Sequence, residues 1–222
     1  MVIPGKIDIG VPGMNEILHG GLPRGLTVLL SGGPGTGKSI FAYQFLYRGL
    51  RQGEPGVLLE FEDYPARVRM NMSMFGWDVK PYEDGRVFAI VDCFTGGVGE
   101  SAKKERYTVK DPSEVSSLLD ALRTAIRDVK AGRVVIDSIS TLYLIKSEDF
   151  RQTIIHIKRL LVSLGCTSLL LWQKGVADRN LPTTYVEHIA DGVIKLDLED
   201  IGEGYRRILT VPKMMGTKHS IQ

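Results

Sequence analysis

At 222 residues with 43% hydrophobic content, the chain can bury about 70% of the surface of its unfolded form, so one α/β domain over 1–222 is expected without disulfide staples. Lys and Arg number 28 against 26 Asp and Glu, and the net charge of +2 gives no global attraction to nucleic acid or anionic lipid. Cys93 and Cys166 lie far apart without CxxC or metal-ligand spacing, the N-terminus shows no basic stretch leading into an apolar one, and no apolar run approaches the ~20 residues that cross a bilayer, so buried thiols, a cytoplasmic location and no membrane partner are expected.

Residues 26–30 (LTVLL) read as a strand and 39–51 as the helix that follows a glycine-rich loop. Residues 57–61 give the next strand. Asp63 then stands where it can cap a helix whose first position is close to Pro65, and Phe75-Gly76-Trp77 ends that helix. A third strand covers 87–91. The stretch 93–110 (CFTGGVGESAKKERYTVK) is longer than an ordinary connection and is expected as a mobile loop or contact segment. Asp111-Pro112 with Glu114 resembles an N-cap, a proline at N1 and an acidic first turn. Val115, Leu118, Leu119, Leu122, Ile126 and Val129 follow at helical spacing, with Gly132 as the stop.

Residues 134–136 form a short apolar strand ending in Asp137, and Phe150, Ile154, Ile157, Leu160, Leu161 and Leu164 form the stripe of a helix stopped by Gly165. Strands follow at 167–172, 192–198 and 207–214, the last two joined through Gly202-Glu203-Gly204 as a hairpin. This alternation predicts an α/β fold with a mostly parallel central sheet flanked by helices and antiparallel C-terminal strands.

Residues 32–39 (GGPGTGKS) satisfy the P-loop pattern between an apolar strand and a helix, which defines a P-loop NTPase core. Glycines let consecutive backbone N–H groups turn inward around phosphate oxygens, and the helix N-terminus adds its positive dipole end. Lys38 is placed to reach the β- and γ-phosphates, and Ser39 to offer a hydroxyl to Mg²⁺. The expected nucleotide-binding set is Gly33, Pro34, Gly35, Thr36, Gly37, Lys38, Ser39 and Ile40, for ATP or ADP with Mg²⁺.

A second anchor is VVID (134–137), a strand delivering Asp137 at its C-terminal end, where open α/β sheets bind ligands. It reads as a Walker B motif whose carboxylate holds Mg²⁺ through water or orients Ser39; an Asp that only ends the strand in a turn is the alternative. Glu60-Phe61-Glu62-Asp63 stands at the end of the strand after the P-loop helix, and two readings stand. Either a carboxylate here orients or deprotonates an attacking water, or Asp63 caps the following helix while Glu60 and Glu62 are solvated. Gln173 either senses the γ-phosphate or is a turn residue. His19, His156 and His188 are singletons without metal spacing, Met70, Met72 and Met74 read as packing filler, and Lys103-Lys104-Glu105-Arg106 reads as a solvated loop or the lining of a pore.

IDIGVPGMNEILHGGLPRG before the P-loop, then GGPGTGKS, LLEFEDYPARVRMNMSMFGWD, RVVIDSIS and KMMGTKH in order, resemble the KaiC-like branch of RecA-type ATPases over nearly the whole chain. The resemblance implies a RecA-like core that hydrolyses ATP, with Glu62 as the catalytic glutamate and Asp63 its neighbour. It also implies a homo-oligomer, a hexameric ring with ATP between subunits, in which Lys213 reaches the γ-phosphate of the neighbouring site and Thr217 and His219 lie near the nucleoside. A solvated edge-strand lysine is the alternative for Lys213. Where family members often carry an arginine two residues after this lysine, Met215 stands here, so turnover is expected to be slow unless Arg206 or Arg207 supplies the guanidinium. The expected function is regulatory or signalling ATP hydrolysis, with a protein partner possible. A DNA-binding recombinase relative and a nucleotide-holding switch are the alternatives; few aromatics in 92–111 speak against nucleic acid.

Overall fold

The computed structural model describes residues 5–100, 102–175 and 183–218. An eight-stranded sheet is built from β3 (Thr27–Gly32), β4 (Gly56–Glu60), β5 (Phe88–Asp92), β6 (Tyr107–Thr108), β7 (Arg133–Asp137), β8 (Thr167–Gln173), β9 (Gly192–Asp200) and β10 (Tyr205–Met214), and a two-stranded sheet pairs β1 (Lys6–Ile7) with β2 (Leu22–Pro23). The helices are α1 (Met14–Ile17), α2 (Lys38–Arg51), α3 (Pro65–Met74), α4 (Lys80–Asp84), α5 (Val115–Val129), α6 (Ile139–Ile145), α7 (Phe150–Ser163) and α8 (Thr183–Ile189).

The order across the large sheet is β10-β9-β3-β8-β7-β4-β5-β6, parallel throughout except for the antiparallel pair β9–β10. Central strands β3, β4 and β7 are buried at every residue, as parallel strands covered on both faces must be. One face carries Phe41, Phe45 and Leu46 of α2, Val68 and Met72 of α3, and the segment before the P-loop through Ile7, Met14 and Leu18. The other carries Leu118, Leu122 and Ile126 of α5 and Ile154, Ile157 and Leu161 of α7. Parallel connections leave the C-terminal ends of β3, β4, β7 and β8 along one rim, and that rim carries the P-loop, Glu60, Asp137 and Gln173.

The opposite rim is locked by Arg133, whose side chain is 1% exposed. Its guanidinium donates to the carbonyls of Asp8 and Phe45, both at 2.8 Å, and to Glu54 at 2.6 Å. Gly49 of α2 makes room for it, since a Cβ there would stand 2.5 Å from Arg133 Cδ and Nε. With those bonds holding the arginine in place, Gly49→Ala is expected to lower stability by about 1–3 kcal/mol, read as a lower urea midpoint with an unchanged m-value.

Several boundaries differ from the sequence reading. Asp111 forms a turn, accepting from the Ser113 backbone N–H at 2.9 Å, and α5 begins at Val115 with Glu114 as its N-cap. The stop is Lys130 in the left-handed conformation, φ 57°, ahead of Gly132. Tyr64 occupies the N-cap of α3 without a side-chain bond, and Asp63 accepts from the Tyr64 N–H at 2.8 Å. The long stretch after β5 holds a 3-10 turn at Ala102–Lys104 and the edge strand β6. Within it Lys103 pairs with Glu100, and Arg106 with Asp128. Of the three methionines read as packing filler only Met72 is buried; Met70 and Met74 are 55% and 77% exposed. Both cysteines are free and buried, and burial pushes the Cys166 thiol up to about 11.

Candidate functional site

The loop between β3 and α2 is shaped by its glycines. A Cβ at Gly32 would meet Leu196 O at 2.5 Å and Thr36 Oγ1 at 2.7 Å, while Gly35 (φ 74°) and Gly37 (φ 97°) take the left-handed conformation that other residues adopt only with strain. The loop closes through Thr36 Oγ1 and Lys38 Nζ, each donating to Gly33 O at 2.9 Å. Gly37, the N-cap of the 14-residue α2, brings no side-chain cap, so the first-turn N–H groups are left for an incoming anion. Burial lowers the Lys38 pKa, against the opposing pull of Asp137 and Glu62.

Asp137 ends β7 with 4% exposure. Burial raises its pKa to about 7, the Ser39 hydroxyl opposes this by hydrogen bonding, Glu62 adds to it and Lys38 opposes it. The Asp137–Ser138 peptide bond is cis. Ser39 and Asp137 are hard oxygen donors side by side, and Mg²⁺ takes one or two such ligands and completes its shell with water and phosphate oxygens. No cluster of three or more His, Cys, Asp or Glu that could hold a metal stands among the described residues.

The three carboxylates at the end of β4 and just beyond it divide their tasks. Glu62 turns towards α6, where its Oε1 accepts from the hydroxyls of Ser138 and, at 3.0 Å, Thr141. Asp63 turns the other way, to the Tyr64 N–H and to Arg67 at 3.4 Å. Glu60 is 1% exposed, which corrects the alternative that placed it in solvent. Its Oε1 accepts from the backbone N–H of Glu62 at 2.9 Å and of Asp63 at 3.1 Å. Burial and the nearby Asp137 push its carboxyl well above the usual range.

Pro34, Gly35, Gly37, Lys38, Ser39, Ile40, Glu62, Asp137, Ser138, Gln173 and Arg207 line one cleft of about 350 Å³. Ser39, Ile40, Glu62 and Asp137 also line an adjoining cleft of about 600 Å³, together with Glu60, Asp63, Tyr43, Asn71, Met74 and Phe75. The carboxylates and the lysine therefore face a polar chamber that opens onto a partly apolar one. Another cleft, of about 610 Å³ beside β5 and β6, contains Arg69, already forked between the carboxylates of Glu83 and Glu105.

Residues 7–222 match the family described as ATPase: KaiC. This chain belongs to the KaiC family of ATPases. It is 54% identical over 217 residues to a UPF0273 protein of Aeropyrum pernix, covering 98% of this chain and 88% of that one. A UPF0273 protein of Thermotoga maritima is 49% identical over the same length, covering 98% and 90%. The crystal structure of the KaiC-like protein PH0186 from Pyrococcus horikoshii is similar at a TM-score of 0.82 with 32% identity, covering 99% of this chain and 93% of that one. The α/β architecture, mostly parallel with two antiparallel C-terminal strands, is that of the KaiC-like fold.

In this KaiC-family chain the residues expected to act on a neighbouring subunit lie apart from the P-loop cleft. Lys213 Nζ donates to the carbonyls of Ala190 at 2.6 Å and Glu187 at 2.9 Å, closing the end of α8. Thr217 Oγ1 accepts from Lys6 Nζ at 2.7 Å, and His219 lies outside the described residues. Met215 is 55% exposed. Of the two arginines on β10, Arg206 pairs with Glu199, whereas Arg207 lines the cleft. Gln173 lines it too, its backbone N–H donating to Ser140 Oγ at 2.7 Å. Sequence reasoning missed Ser138 and Thr141; the available signal was two hydroxyls within one helical turn of Asp137 in VVIDSIST. It also missed the wall of Tyr43, Asn71, Met74 and Phe75, which comes from two helices joined only by the fold.

Proposed function

We propose that this chain is a Mg²⁺-dependent ATPase acting as one domain over 1–222, with the nucleotide phosphates in the P-loop cleft and the rest of the nucleotide extending along the adjoining chamber. The carrying observation is that Glu62, pinned by Ser138 and Thr141, shares one cleft with Lys38, Ser39 and Asp137. Lys38 leaves Gly33 O for the phosphates, and the amides of the loop and of the first turn of α2 wrap them. Ser39 and Asp137 would hold the metal, which would neutralise phosphate charge as a Lewis acid. Glu62 orients the attacking water and accepts its proton. Arg207 adds a guanidinium on the same side, where Met215 has none to offer.

The hydroxyl pair is open to direct test. Ser138→Ala combined with Thr141→Val is expected to lower kcat for Mg-ATP about 10- to 100-fold with KM within about threefold, because a base displaced by about 1 Å loses its alignment while ground-state binding is kept. Wild-type kcat in that variant contradicts the placement of Glu62.

Assembly as a ring with nucleotide between subunits is part of the same reading and rests on family membership. Thr217 and Lys213 sit away from their own P-loop, which leaves them free of a role in that cleft. A nucleotide held between two chains stabilises their association by mass action, so sedimentation is expected to show a larger species in Mg-ATP than without nucleotide. A monomer under both conditions, with full turnover, contradicts the ring. The buried free thiols accord with a cytoplasmic location, and no helix among the described residues is long and apolar enough to cross a membrane.

A further inference from the structure

Glu60 has an environment that nucleotide chemistry alone does not explain. It ends β4 between Asp137 of β7 and Asp92 of β5, its register partners, and its side chain lines the cleft shared by Ser39, Glu62 and Asp137. One oxygen, Oε1, holds two successive backbone N–H groups, those of Glu62 and Asp63. The other, Oε2, is buried without a hydrogen-bond partner. A buried unpaired polar atom is costly; a smaller side chain here would avoid that cost but would release both amides. Asp92 uses the same device one strand away, its Oδ1 accepting from the N–H groups of Phe94 and Thr95, on a loop that brings no carboxylate to the cleft.

We infer that Glu60 is a positioning residue for Glu62, fixing the backbone of the turn from which the Glu62 carboxylate reaches Ser138 and Thr141. The turn is then held at two points. Glu60 sets where the Cα of residue 62 stands, and the α6 hydroxyls set where its carboxylate points. Without the first, the second would draw the side chain from an unanchored turn, and the carboxylate would lose the placement that general base catalysis needs. The role requires an acceptor at Oε1, not a negative charge, so a glutamine can replace it.

This inference rests on Glu62 being the base, and the test separates the two. Steady-state kcat and KM for Mg-ATP are measured for wild type, Glu60→Gln, Glu60→Met, Glu62→Gln and the double variant Glu60→Met/Glu62→Gln. Glutamine keeps the acceptor and is expected to hold kcat within about threefold. Methionine keeps the length and loses the acceptor; kcat is expected to fall about 10- to 100-fold at nearly constant KM. Because Glu60 acts through Glu62, the double variant is expected to be no more than about threefold slower than Glu62→Gln. A folded Glu60→Met with wild-type kcat overturns the inference, as does a double variant slowed by the full product of the two effects. Should Glu60→Met fail to fold, Glu60→Gln decides: retained kcat upholds the acceptor role, and a loss beyond tenfold overturns it. Wild-type turnover in Glu62→Gln removes the base assignment itself, and the positioning role with it.

Discussion

Lys38→Ala is expected to weaken Mg-ATP binding at least about tenfold and up to about hundredfold, measured by equilibrium titration. Its ammonium is the P-loop's only side-chain charge, and hydrogen bonds to charged groups are worth about 1.5–3 kcal/mol. Two features of the free protein set the size of the effect. Nζ already donates to Gly33 O, so binding exchanges one hydrogen bond for stronger, charge-assisted ones. Burial lowers the lysine pKa while Asp137 and Glu62 oppose that, and both carboxylates share its cleft. The variant leaves the loop fold in place, because Thr36 closes onto Gly33 O independently. Unchanged affinity in Lys38→Ala contradicts the site.

Glu62→Gln is expected to leave that affinity within a few fold and to lower turnover by about 10² to 10⁴, the reach of a general acid-base contribution. The amide keeps an oxygen for Ser138 and Thr141, so the side chain stays in place and loses only its basicity. Asp63 is the built-in control. Its carboxylate is engaged by the Tyr64 N–H and Arg67, and it lines the adjoining chamber but not the P-loop cleft, so Asp63→Asn is expected to retain most of the turnover. The opposite pattern, a silent Glu62→Gln and a slow Asp63→Asn, moves the base by one residue.

Features that depend on local backbone chemistry were legible from sequence. The P-loop could be read because its glycines, threonine and lysine satisfy one another within six residues, from Gly33 to Lys38. The long strands and α2, α5 and α7 could be read because their apolar faces are periodic over 14 or 15 residues in the helices. Short elements such as β6, α4 and α6 lack that length and left no periodic mark. At the site, the strand ends carrying Glu60 and Asp137 were visible, but their adjacency was not. β4 and β7 are neighbours in the sheet although three helices and two strands separate them in the chain. The choice between Glu62 and Asp63 depends on hydroxyls 76 and 79 residues away from Glu62. The burial of Glu60 likewise follows from the sheet and not from its immediate neighbours. Lys213 follows the same pattern, since the carbonyls it holds belong to α8 and the residue after it, 26 and 23 residues earlier.

The most direct test of the account is phosphate release by the wild-type protein with Mg-ATP, repeated with the metal chelated and with Lys38→Ala. Turnover above the uncatalysed background is expected in Mg-ATP, lost on chelation and in the variant, because phosphates, metal and base must meet in the one cleft lined by Lys38, Ser39, Glu62 and Asp137. Phosphate release that persists undiminished in Lys38→Ala, or its absence from the wild type at saturating Mg-ATP, would contradict the assignment.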